Sequence, residues 1–207
     1  GAQFQLTYAN GGYVDNDNGH LSSNGLYTTD DKGEIRISGI TGTVVAKEVK
    51  AAPGYVIDQS TQTQTVTVNP LDTQTLTFLN EPLCSLTLTK LDSVTGKPVP
   101  GTEFTVRDGS GTVLGRYTTG KDGTVVVTGL VPGSTVVVSE TKVPYGYVLD
   151  TTPQTIIVKN GSNIMNSGGT TGGNTGGSTN TGNGNDLTFE NDPTVNLTIR
   201  KYIEGTA

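Results

Sequence analysis

The 207-residue chain is 32% hydrophobic, 6% aromatic and 15% charged, with 29 Gly, a profile that builds small cores rather than one large one. Its 13 Lys plus Arg against 19 Asp plus Glu leave a formal net charge of -6 and no basic stripe, which excludes a counterion-releasing nucleic-acid surface. No apolar run approaches the roughly 20 residues that span a bilayer, so no membrane insertion is expected, and one cysteine, Cys84, excludes an intramolecular disulfide.

The opening residues, Gly1-Ala2-Gln3-Phe4, carry no basic-then-apolar signal segment, so the export or anchoring signals of a secreted parent would have been removed. These four residues begin a pattern that returns about one small domain later as Gly101-Thr102-Glu103-Phe104. Tyr27-Thr28-Thr29 and Gly33 recur as Tyr117-Thr118-Thr119 and Gly123, and Ser38-Gly39-Ile40 recurs as Thr128-Gly129-Leu130. Val44 to Glu48, followed by Gly54-Tyr55-Val56-Ile57-Asp58, matches Val136 to Glu140, followed by Gly146-Tyr147-Val148-Leu149-Asp150. Finally, Leu76-Thr77-Phe78-Leu79-Asn80-Glu81-Pro82 matches Leu187-Thr188-Phe189-Glu190-Asn191-Asp192-Pro193. The chain therefore reads as two copies of one module.

Between these landmarks lie short β-branched runs, among them residues 65–68, 73–78, 86–90 and 124–128, each near Gly, Asn, Asp or Pro. Helical periodicity is sustained nowhere. The expected fold is all-β: tandem immunoglobulin-like, antiparallel β-sandwiches of about seven strands each, arranged end to end and joined near Pro82 and Pro193. The boundaries expected are 1–83 for a module lacking its first strand, 84–193 for a complete one, and 194–207 for the first strand of a following module. In support, a Lys stands ten positions after each Asn: Lys90 after Asn80, and Lys201 after Asn191. Residues 167–185 are nearly all Gly, Thr, Asn and Ser, a composition expected to form a mobile loop before the last strand of the second module.

The complete module carries a Lys closing one alternating strand, a Glu closing another and an Asn flanked by Phe and Pro in a third. If these side chains point inward, a charged Lys and Glu are costly, and the core must pair or neutralise them. Neutralised, the amine is a nucleophile and the acid a proton carrier beside the carboxamide. Fixed contact then replaces a bimolecular encounter, and the product is a Lys-to-Asn isopeptide made once per chain. No cofactor or metal is called for.

Leu86-Thr87-Leu88-Thr89-Lys90, Gly101 with Phe104, the Glu140-Thr141 to Gly146-Tyr147 segment and Phe189-Glu190-Asn191-Asp192-Pro193 resemble the CnaB-type (collagen-adhesin B, prealbumin-like) domains of Gram-positive adhesin stalks and pilin shafts. The Glu-Thr-x-x-Pro-x-Gly-Tyr segment resembles the pilin E-box. The resemblance covers nearly the whole chain and implies an isopeptide between Lys90 and Asn191 assisted by Glu140, in an extracellular, cell wall-anchored structural protein. In the first module Glu48 and Asn80 match but no Lys strand precedes them, so the expectation is completion by Lys201 of another copy, head to tail, by strand addition. Neighbouring modules of the same protein are the first partners expected. A host matrix protein or a glycan bound by loops, including residues 10–24, is the alternative.

Other residues read more plainly. His20 sits in a polar loop without a catalytic or zinc partner, and Asp15 and Asp17 miss the spacing of a calcium loop. Cys84 reads as a small buried apolar residue, Phe78 and Phe189 as core, and Tyr145 with Tyr147 as a packing cluster at a strand edge.

Overall fold

The computed structural model describes residues 1–14, 24–160, 185–195 and 197–199. Asp15, Asp17, His20, Lys201 and nearly all of the 167–185 loop lie outside them. The chain divides into two compact units, Gly1–Cys84 and Ser85–Ala207.

Unit two comprises β7 (Cys84–Asp92), β8 (Glu103–Asp108), β9 (Val113–Thr118), β10 (Thr124–Leu130), β11 (Thr135–Lys142), β12 (Gln154–Ile157) and β13 (Asp186–Asn191). They form a four-stranded sheet, β12-β11-β8-β9, and a three-stranded sheet, β10-β7-β13. The buried positions of β7 alternate from Cys84 through Leu86, Leu88 and Lys90 to Asp92, and those of β13 are Leu187, Phe189 and Asn191. With Phe104, Val106, Val127, Val136 and Val138 from the other strands, these rows make the core. The ladder between β7 and β13 is parallel, with Leu187 opposite Leu88 and Phe189 opposite Lys90. This corrects the expectation of a purely antiparallel sandwich: the first and last strands of the unit are neighbours running the same way.

Unit one comprises β1 (Gln3–Tyr8), β2 (Leu26–Thr28), β3 (Gly42–Lys50), β4 (Tyr55–Ile57), β5 (Thr63–Val68) and β6 (Asn80–Pro82). Its sheet, β2-β1-β3-β5, repeats the order β9-β8-β11-β12 of unit two, and β4 pairs with β6. The same pairing survives in unit two as an isolated bridge between Tyr147 and Pro193. The second sheet, in contrast, has no three-stranded counterpart among the described residues of unit one. Residues 34–40 and 72–79, which align with β10 and β13, form no ladder, although residues 73–78 have a strand-like sequence. In unit two both neighbours pair with β7; among the described residues of unit one no strand pairs with these two segments.

Candidate site at the Lys, Glu and Asn positions

Three strand alternations deliver three polar side chains to one buried locus in unit two. Lys90 is 0% exposed, Glu140 1% and Asn191 3%. Period-two geometry puts Lys90 in the same row as Leu86 and Leu88, Glu140 in the row of Val136 and Val138, and Asn191 in the row of Leu187 and Phe189. A bulge follows the glutamate: the β8–β11 register slips between Glu140 and Lys142, where Glu140 faces Phe104 and Lys142 faces Glu103. The β1–β3 register slips at the same place, with Phe4 opposite Glu48 and Gln3 opposite Lys50. A bulge kinks a strand and breaks its alternation, and here the inward row ends on an acid immediately before the slip in both units.

The Asn191 Nδ2 donates to Glu140 Oε2 at 2.8 Å, and the backbone N–H of Asp150 donates to the same oxygen at 3.1 Å. Glu140 Oε1 is buried and has no hydrogen-bond partner among the described residues. Lys90 Nζ donates to the backbone carbonyl of Leu91 at 3.1 Å, and among the described residues it forms no ion pair with Glu140. Burial lowers the Lys90 amine to about 8, opposed by the negative charges of Glu140, Glu190, Asp150 and Asp92. Burial likewise raises the Glu140 carboxyl above its ordinary value, against the hydrogen bonds from Asn191 and Asp150 that favour its ionised form. Both shifts favour the uncharged forms of the pair. The aromatic ring of Phe189 lies 4.7 Å from that of Phe104, covering the locus with apolar surface.

Gly123 completes the surroundings. Its φ is +72°, and a Cβ there would stand 2.7 Å from the carbonyl oxygen of Lys90, whose N–H donates to the Gly123 carbonyl at 2.8 Å. Only glycine permits this approach of the β9–β10 turn to the lysine strand.

Unit one holds two of the three groups. Glu48 is 1% exposed, and Asn80 Nδ2 donates to its Oε1 at 2.6 Å. Asn80 Oδ1 is buried and has no hydrogen-bond partner among the described residues. Phe78 packs edge-on against Phe4, with centroids 4.8 Å apart. Lys201, the lysine expected to complete this locus, lies outside the described residues.

The remaining expectations divide. Cys84 is buried as expected. The tyrosine cluster is corrected: Tyr145 is 103% exposed, because it stands at the tip of the turn after β11, whereas Tyr147 donates through its hydroxyl to Asp92 Oδ2 at 3.0 Å. That bond, the Asp150 N–H and the two bulges were not foreseen. The tyrosine follows from no spacing rule, but the Glu-x-Lys repeated at residues 48–50 and 140–142 marks where alternation breaks.

A family model described as SpaA, prealbumin-like fold domain, matches residues 1–82 and again residues 84–170. No curated protein matches the chain. Among solved structures, the Bacillus anthracis TIE protein is similar at 23% identity and a TM-score of 0.45, over 93% of this chain and 31% of that one. A streptococcal ancillary pilin is similar at 24% identity and a TM-score of 0.47, over 94% of this chain and 57% of that one. The shaft pilin SpaA of Lactobacillus rhamnosus GG is similar at 14% identity and a TM-score of 0.45, over 96% of this chain and 89% of that one. The chain thus spans under a third and somewhat over half of the first two proteins. Two tandem family matches, falling on two units with the same sheet order, show that the chain belongs to the SpaA prealbumin-like fold domain family, the CnaB-type fold its motifs resemble.

Proposed function

We propose that the chain is a structural segment of a Gram-positive surface stalk or pilus shaft, in which unit two is locked by an autocatalytic isopeptide bond between Lys90 and Asn191. The observation that carries this reading is the Asn191–Glu140 hydrogen bond of 2.8 Å, sealed in a core with a fully buried Lys90 on the adjacent strand. The neutral Nζ attacks Cγ of Asn191, and the Nζ–Cγ bond forms. Glu140 takes the proton that Nζ sheds and delivers one to Nδ2, its hydrogen-bond partner in the resting state. The Cγ–Nδ2 bond then breaks and ammonia leaves. The chemistry occurs once per chain and turns over no external substrate, so the role of the product is mechanical.

That role follows from topology. Because β7 and β13 are the first and last strands of unit two, a tie between them takes the intervening segment out of the load path when the ends are pulled. It also restricts the unfolded chain as a disulfide does. In unit one, Glu48 and Asn80 form the matching half of such a site, which a lysine strand would complete. A cell wall-anchored, extracellular setting suits a protein stiffened in this manner.

The test is the intact mass of the purified chain. The parent is expected to lack the mass of one ammonia per closed unit two, and the Lys90→Ala and Glu140→Ala variants to lack none at that unit. A parent of full mass overturns the proposal.

A further inference from the structure

Each unit contains a glutamine that crosses from the edge of one sheet to the segment carrying the asparagine. In unit two Gln154 Nε2 donates to the backbone carbonyl of Thr188 at 3.1 Å, and in unit one Gln64 Nε2 donates to the backbone carbonyl of Thr77 at 2.7 Å. Donor and acceptor are both repeat equivalents: Gln64-Thr65-Val66 stands where Gln154-Thr155-Ile156 stands, and Thr77 precedes Phe78 as Thr188 precedes Phe189.

The carbonyl that Gln154 engages is one that the ladder leaves over. β13 ends the sheet order β10-β7-β13, so its second edge has no strand beside it among the described residues. Asn185 and Asn191 turn their carbonyls toward β7, where they accept from the N–H groups of Thr87 and Ser93 at 2.8 and 3.1 Å. Carbonyl direction alternates along a strand, so Thr188, midway between these two, points its carbonyl to the unpaired edge. Gln154 shares the inward row of β12 with Ile156, and its Cα partner on β11 is Val138, one inward position before Glu140. The bond thus ties the strand of Asn191 to the sheet of Glu140, beside the place where those two side chains meet at 2.8 Å. The other end of the glutamine is idle: Gln154 Oε1 is buried and has no hydrogen-bond partner among the described residues, which costs stability. Packing alone is served better by an apolar side chain, so what the position uses is the donor.

Resting on the reading of Lys90, Glu140 and Asn191 given above, we propose that Gln154 is a positioning residue for the closure of unit two, holding β13 at Thr188 so that the Asn191 carboxamide stays on Glu140 within reach of the Lys90 amine. Gln154 touches none of the reacting atoms and moves no proton. Its effect is geometric, and between groups held in place a misplacement of about 1 Å slows reaction by about 100-fold. Gln64 holds Asn80 on Glu48, at 2.6 Å, in the same way. The start of β13 is tied separately, since Lys159 N–H donates to Asn185 Oδ1 at 2.7 Å and Asn185 Nδ2 donates to the Ser85 carbonyl at 3.1 Å. Loss of the glutamine donor therefore loosens the strand near the reacting carboxamide and leaves its start docked.

The experiment compares the full chain with Gln154→Met, which keeps the length of the side chain and removes the donor, and with Gln154→Asn, which keeps the carboxamide but is one methylene short of Thr188. Each is purified in denaturant before closure, refolded and followed by intact mass, with circular dichroism establishing that the chains are folded over the time course. Both variants should lose ammonia about tenfold or more slowly than the parent, with the pH dependence of the rate undisplaced, because the amine and the acid keep their surroundings. A glutamine that only adds stability would leave the rate in the folded chain unchanged. In a Lys90→Met background, which cannot close, the side-chain amide protons of Asn191 should exchange several-fold faster by NMR when Gln154→Met is added. Equal rates of ammonia loss, a displaced pH profile or unchanged Asn191 exchange overturns the inference, and with the parent closing as expected the function proposed above then stands. A parent that keeps its full mass overturns that function and this inference with it.

Discussion

Replacing Lys90 with Met isolates the energetic worth of the proposed tie. Lys90 is 0% exposed and stands in a row with Leu86 and Leu88, so an unbranched apolar side chain of similar length fills the same space without leaving a charge to desolvate. Packing is thus nearly conserved, and what disappears is the link between β7 and β13. That link closes a loop of roughly 100 residues, for which the loss of unfolded-state entropy stabilises the folded state by about 4.7 kcal/mol at 25 °C. For a unit of this size each kcal/mol shifts the midpoint by about 4–8 °C, so Lys90→Met should lower the unit-two melting transition by about 20 °C or more. Differential scanning calorimetry resolves this when run beside intact-mass measurement, with the unit-one transition as an internal reference. A Lys90→Met chain whose unit-two transition lies within a few degrees of the parent's would refute the reasoning, since burial of a free amine predicts an equal or higher midpoint for the apolar variant.

Glu140→Gln keeps the volume and a hydrogen-bonding group near Asn191 but cannot relay a proton; the chain should fold by circular dichroism yet keep its full mass at unit two, and loss of ammonia at the parent's rate would contradict the role of the acid. The rate of bond formation on refolding should climb with pH toward about 8, where the buried Lys90 amine sheds its proton, and a flat profile approaching that pH would argue against a neutral nucleophile. Gly123→Ala drives a Cβ to 2.7 Å from the Lys90 carbonyl in addition to its positive-φ strain, so unit two should lose about 1–3 kcal/mol, whereas Gly33→Ala carries the φ strain alone and should cost unit one about 1 kcal/mol. Equal losses in urea titrations of the two variants would show that the close approach is not there. Tyr147→Phe removes the hydroxyl that donates to Asp92 and should lower unit-two stability by about 1 kcal/mol in the same titration, with the loss of one ammonia from unit two unchanged relative to the variant's own calculated mass.

Much of this was legible in the sequence because repetition and alternation are both positional signals. The two copies share landmark residues in the same order, and period two alone sends Lys90, Glu48, Glu140 and Asn191 to the side of their apolar neighbours. Pairing was less legible. Residues 73–78 have the composition of a strand, yet strand structure also requires a neighbour, and among the described residues none pairs with them. The parallel β7–β13 ladder escaped the reading because antiparallel and parallel partners share the same alternation, and the direction is set by the whole connection rather than by either strand. Tyr145 failed for a related reason: beside a positive-φ glycine at 146 its side chain follows the turn outward, and aromatic character alone does not specify burial.

Peptide mapping of the parent chain tests the central claim most directly. After trypsin digestion the account predicts a branched species in which the segment containing Lys90 is joined through its side chain to the segment containing Asn191, lighter than the two together by one ammonia, with no cleavage after Lys90. Quantitative recovery of a linear peptide ending at Lys90, together with an unmodified Asn191 peptide, would contradict it.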